Sequence, residues 1–159
     1  LRANHPQALP AAAWPLLAYH VGVTDAPVVS KHLALTRTQA ASFENMPVLR
    51  RTSGRLAASS IKRSDAVALL AAFPLAAVWA LAAASPPAIR ERCTDYLLSA
   101  RHLKPALRGD DVIALGVPQG PRIGEVLRKL RVAKLDGDVK TRRDEERYVR
   151  MLLAETSQQ

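Results

Sequence analysis

Apolar positions recur along most of the chain at intervals of three and four, the period of helices packed on one side. Leu9, Ala13, Leu16, Leu17 and Tyr19 predict a helix over residues 6–20, tolerant of Pro10 near its start and disturbed by Pro15. Residues 22–27 read as a turn, and residues 28–35 as either a short helix or an extended piece. Thr36-Arg37-Thr38 then precedes a helix from about Gln39 to Met46, where Pro47 is expected to force a break or kink before a second helical piece over residues 48–58. In that second piece Arg50, Arg51 and Arg55 share a helix with Leu49 and Leu56, so the arginines can face outward.

Residues 66–89 carry no charged side chain, a run long enough that a membrane span has to be considered. Alanine dominates it, Pro74 interrupts it and Ser85-Pro86-Pro87 closes it. The pattern therefore predicts two buried helices, residues 65–73 and 74–84, with Trp79 in the core and no membrane contact. Ile89, Cys93, Tyr96, Leu97 and Ala100 place a further helix over residues 86–102.

Glycines, prolines and basic helices follow one another closely in residues 104–150. Gly109 and Asp110 open a short apolar run, and Gly116-Val117-Pro118-Gln119-Gly120-Pro121 stops it with residues suited to turns and positive φ. Pro121 fits the first position of the next helix, where its missing N–H is no loss. Ile123, Val126, Leu127 and Leu130 then repeat at helical spacing, with Arg122, Arg128, Lys129, Arg131 and Lys134 on the other faces. This helix is expected to end near Leu135, because Gly137 between Asp136 and Asp138 is a natural left-handed cap. Thr141 and Asp144 resemble a capping box for a last helix whose stripe is Tyr148, Val149, Leu152 and Leu153. Arg142, Arg143, Arg147 and Arg150 lie largely off that stripe, Asp144 to Arg147 read as a surface charge pair, and residues 157–159 are expected to fray.

Composition sharpens this pattern into an all-α expectation: 48% of the 159 residues are hydrophobic and only 4% aromatic, which favours helix over sheet. The chain is long enough for one core or two small helical subdomains, read as a helical region 1–102 and a basic tail 103–159. A net charge of +9 and a pI near 10.4 call for an anionic partner. Residues 1–30 balance Arg2 against Asp25, whereas residues 31–63 set Lys31, Arg37, Arg50, Arg51, Arg55, Lys62 and Arg63 against Glu44. A second basic zone covers residues 122–150.

Catalysis has no candidate constellation. Cys93 falls on an apolar stripe and reads as a small buried hydrophobe. His5, His20, His32 and His102 are too scattered for a metal site, and nothing requires an oxidising compartment.

The order L-x-G-D-D-V-I-x-L-G-V-P-x-G-P-x-I-G-x-V-L-x-x-L, followed by A-K-L-D-G-D-V-K-T-R-x-D-E, resembles the C-terminal part of bacterial tRNA nucleotidyltransferases, the CCA-adding enzymes and their poly(A) polymerase relatives. The resemblance covers roughly residues 103–150. It implies the C-terminal part of a larger cytoplasmic protein, a multi-helix array of short helices that grips tRNA or another structured RNA by its acceptor and TψC arm. An upstream catalytic head, served by magnesium and CTP or ATP, would add the nucleotides. No Gly-Ser loop or Asp-x-Asp pair in a strand setting occurs here, so the chain itself is expected to hold no cofactor and to transfer nothing. The opening at Leu1, with no Met and no signal-peptide pattern, agrees with a region taken from within a longer protein.

Binding does have a physical candidate. The turn Gly116 to Pro121, followed by a helix start, would aim backbone N–H groups at a phosphate. Arg122, Arg128, Arg131, Lys134, Arg142 and Arg143 could neutralise its neighbours. Such contacts position every tRNA alike without reading bases. Two other readings stand beside it: a helix-hairpin-helix module that binds DNA without sequence preference, suggested by Leu115 to Gly120 between two helices, and a purely structural helical interaction domain.

Overall fold

The computed structural model describes residues 8–156, so the expected fraying of residues 157–159 and the first residues of the opening helix lie outside the described residues. Among the described residues the regular structure is wholly helical: α1 Ala8–Leu17, α2 Ala26–His32, α3 Arg37–Thr52, α4 Arg63–Ala71, α5 Leu75–Ala84, α6 Pro87–Leu98, α7 Gly109–Ala114, α8 Pro121–Asp136 and α9 Arg142–Thr156. Short 3-10 turns follow α1, α3 and α6 at Ala18–His20, Ser53–Ala57 and Ala100–His102. The chain divides into two compact units, Leu1–Arg101 and His102–Gln159.

In the first unit α1, α3 and α5 pack on one another, α2 adds to α3, and α6 packs against α5 and α4. The interior sets many buried alanines among large side chains such as Phe43, Met46, Leu49 and Leu70. Ala77, Val78, Ala80, Leu81 and Ala82 of α5 are all fully buried, so this helix is covered on several sides and neighbouring backbones can approach closely. That accounts for the uncharged run without any membrane, and no helix among the described residues is long and apolar enough to cross one. Trp79 is half-buried rather than a core residue. The α5–α6 corner is made by Pro86 and Pro87, which bring no N–H to the end of α5. Arg90 supplies donors instead, from Nε to the Ala82 carbonyl at 3.3 Å and from its terminal nitrogen to the Ser85 carbonyl at 3.1 Å.

Of the break or kink expected at Pro47, the break is corrected: α3 runs through it from Arg37 to Thr52, and residues 53–57 form a 3-10 turn instead of a second helix. A proline inside a helix costs about 3 kcal/mol or more. Phe43, Met46 and Pro47 stand at i, i+3 and i+4 on one stripe, however, and all are buried. A continuous helix carries this whole stripe into the core, where each large apolar side chain contributes about 1.5–3 kcal/mol. Packing outweighs the lost hydrogen bond. The start of α3, two residues earlier than expected at Arg37, is capped by the Thr36 N–H donating to Gln39 Oε1 at 3.0 Å. Between the two readings left open for residues 28–35, α2 decides for helix. Cys93 is fully buried on α6, and burial pushes its thiol up to about 12.

The second unit is smaller. Its core gathers Leu107, Val112, Val117, Val126, Leu130, Ala133, Val139 and Val149 from α7, α8, α9 and the connections between them. Ile123, Leu127, Tyr148, Leu152 and Leu153, all apolar-stripe positions in the sequence, pack around it partly buried.

Candidate nucleic-acid interface

The turn from α7 to α8 is rigid for reasons that begin in its residue types. Gly116 takes φ +101°, and its N–H donates to the Ile113 carbonyl at 2.9 Å while the Val117 N–H reaches back to Val112 at 3.2 Å. These two bonds are those of a Schellman cap, completed by the apolar contact position Val117, 2% exposed beside fully buried Val112. Gly120 adopts φ +127°, ψ −159°, a region essentially closed to other residues, and opens α8 with Pro121 next. No atom lies within 4 Å of the place a Cβ would occupy at Gly120, so conformation rather than crowding demands glycine there.

Beyond the turn the basic side chains part into two groups. Arg128 and Arg143 are exposed on α8 and α9. Arg122 is half-buried and, with Glu125, Val126, Lys129, Leu152 and Leu153, lines a cleft of about 330 Å³ between α8 and α9. The others are engaged within the unit. Arg131 donates from Nε to the Leu103 carbonyl at 3.1 Å. Arg142 pairs with Asp111 at 2.7 Å and with Glu146, one turn along α9, at 3.6 Å. Lys134, 19% exposed, places Nζ 2.6 Å from Glu145 Oε1.

Glu145 is the residue that pattern reading misplaced. It belongs to no surface charge pair: it is fully buried. Its carboxylate accepts the Ala106 N–H at 3.0 and 2.8 Å, the Leu107 N–H at 2.8 Å and the Lys134 ammonium. Burial raises the carboxyl's proton affinity, but the N–H of Ala106, Lys134 and the N–H of Leu107 together outweigh it and hold the group below its ordinary value. A signal was present in the sequence. Glu145, Val149 and Leu152 stand at i, i+4 and i+7, so the carboxylate lies on the core stripe of α9.

At the start of α9 the expected capping box is present. The Thr141 N–H donates to Asp144 Oδ2 at 2.9 Å, and the Asp144 N–H donates to Thr141 Oγ1 at 3.2 Å. The Thr141 N–H and hydroxyl hold the Asp144 carboxyl below its usual range. Asp136-Gly137-Asp138 is the C-terminal turn of α8, with Gly137 left-handed at φ +88° and its N–H bonded to the Ala133 carbonyl. Among the described residues no three His, Cys, Asp or Glu side chains gather as a metal ion requires.

In the first unit Arg50, Arg51 and Arg55 are exposed as expected, and the Arg50 guanidinium lies 5.5 Å from the centroid of the Tyr19 ring. Arg63 differs, because Asp95 takes it in a two-pronged pair, both bonds 2.7 Å. Glu44 accepts the hydroxyl of Ser30.

Comparison with known proteins gives a partial likeness. The chain is 32% identical over 88 residues to the A-adding tRNA nucleotidyltransferase of Geobacter sulfurreducens, an alignment that covers 55% of this chain and 10% of that protein. The chain thus spans about a tenth of the length of the curated relative it matches. No family model matches it. No solved structure matches it either. The likeness supports a region related to tRNA nucleotidyltransferases, joined here to an all-helical architecture.

Proposed function

We propose that this chain is a tRNA-binding region of a nucleotidyltransferase, gripping the acceptor and TψC arm through its second unit. Addition of nucleotides would belong to a head outside this chain, and the magnesium and CTP or ATP such chemistry uses would belong there too. The observation that carries the reading is the rigid Gly116–Gly120 turn leading into a helix with exposed arginine, in a chain similar to a tRNA nucleotidyltransferase. Contacts of that kind go to phosphates and serve any tRNA sequence. The geometry orders the six basic candidates. Arg128 and Arg143 are the outward contacts, Arg122 stands at the cleft, and Arg131, Lys134 and Arg142 hold the unit together, with Arg142 still 54% exposed.

The test is binding of the chain to deproteinised tRNA and to a length-matched DNA duplex across a salt series, with Arg128→Ala/Arg143→Ala beside it. Preference for tRNA, together with a salt slope reduced by roughly two in the double variant, is the expected result. Equal binding to duplex DNA would move the reading to a helix-hairpin-helix module. Binding to neither at moderate salt would leave a structural helical domain.

A further inference from the structure

Residues 103–108, which lead into α7, contain no helix, yet they are fastened at successive points by side chains from elsewhere in the second unit. Arg131 of α8 donates to the Leu103 carbonyl at 3.1 Å. Glu145 of α9 takes the N–H groups of Ala106 and Leu107. Asp111 takes the Arg108 N–H at 2.7 Å, and the Leu107 side chain is buried at 3% exposure. The Arg108 side chain, by contrast, is exposed. Asp111 also receives Arg142 at 2.7 Å, so one carboxylate draws the Arg142 guanidinium to the backbone of Arg108. Two arginines therefore meet at one acidic group, each carried on a fixed backbone.

We propose that Arg108, together with Arg142, forms a second phosphate-contacting edge on this unit, and that Glu145 is the positioning residue that holds the edge in place. The proposal rests on the RNA-binding reading above and adds to it Arg108, which that reading lacks, beside the still exposed Arg142. A loop cation ordinarily gives up backbone freedom when it binds. Here the hydrogen bonds of Glu145, Asp111 and Arg131 have already removed that freedom, so less entropy is lost on contact with a phosphate. Glu145 itself cannot touch RNA, being fully enclosed. Its effect passes through the amides of Ala106 and Leu107.

The experiment compares wild type, Arg108→Ala, Glu145→Gln and the double variant for tRNA affinity across a salt series, with amide hydrogen exchange on the RNA-free proteins. Arg108→Ala is expected to lower the salt slope by roughly one with folding unchanged. Glu145→Gln is expected to speed exchange at Ala106 and Leu107 on the order of 10- to 100-fold, the range for losing hydrogen bonds to a charged group. In the Glu145→Gln background, removing Arg108 should then change affinity little, since the two act as one unit. An unchanged slope in Arg108→Ala overturns the second edge, while the grip stands provided wild type still prefers tRNA. Additive losses, or unchanged exchange at Ala106 and Leu107, overturn the positioning role of Glu145. If wild type binds no tRNA, both readings fall. Arg108→Ala alone decides the contact should Glu145→Gln fail to fold.

Discussion

The two units solve the problem of stability in opposite ways. The first closes on apolar side chains, large ones such as Phe43, Met46 and Leu70 set among many buried alanines, and its charged groups stay at the surface or near it, as with Arg63 and Asp95. The second is smaller and encloses a carboxylate, where Glu145 gathers two backbone amides and Lys134. An alanine-rich interior tolerates no added volume. A polar centre tolerates no lost partner. The difference shows how a small helical unit can fix an irregular segment: a side chain makes the hydrogen bonds that residues 103–108 do not make with one another.

The strongest way to break this contrast is Glu145→Ala. It leaves Lys134 and two amides without their acceptor, and a loss of about 3–5 kcal/mol is expected in the second unit, read as the difference in urea midpoint. The same carboxylate predicts a pH dependence. Its folded value is lowered, so its contribution is fully present above the ordinary glutamate range and is lost as pH falls through the lowered value. Acid unfolding of wild type followed by NMR should show that loss, and Glu145→Gln should show a shallower one. If both titrate alike, Glu145 is not the acid-sensitive tie.

A smaller effect is expected on the other side of the comparison. Ala80→Leu in α5 adds three heavy atoms where the present side chain is fully buried, and overpacking costs about 1–3 kcal/mol, seen as a lowered melting temperature. Tolerance of leucine there would show that the alanine interior is looser than its burial suggests. The mildest change is Gly137→Ala, which places a side chain at φ +88° with open space around it. Conformation alone then sets the loss, about 1 kcal/mol, measurable in the same urea titration.

Much of the fold was legible before any coordinates. The spacing of Ile123, Val126, Leu127 and Leu130 placed α8, and Pro121 and Gly137 marked its two ends within a residue. The Gly116 turn was legible from composition, although its Schellman bonding was not. Pro47 misled because propensity is a local quantity, whereas the stripe of Phe43, Met46 and Pro47 acts through distant neighbours. Within the candidate site, charge counting put Arg131, Lys134 and Arg142 with Arg128 and Arg143. Only the fold separates them, since whether a cation faces solvent or a carboxylate depends on residues far along the chain.

The sequence by itself determined most of the helices, the ends of α8 and the capping box of α9, because each follows from backbone sterics and hydrogen bonds within a few residues. It determined too that the chain is basic. The tertiary structure alone decided that Lys134 and the amides of Ala106 and Leu107 converge on Glu145, and that residues 103–108 are fastened by side chains from α7, α8 and α9 with Arg108 exposed. A buried charge becomes tolerable only when donors from separate segments converge on it, and that convergence exists only once the chain has folded.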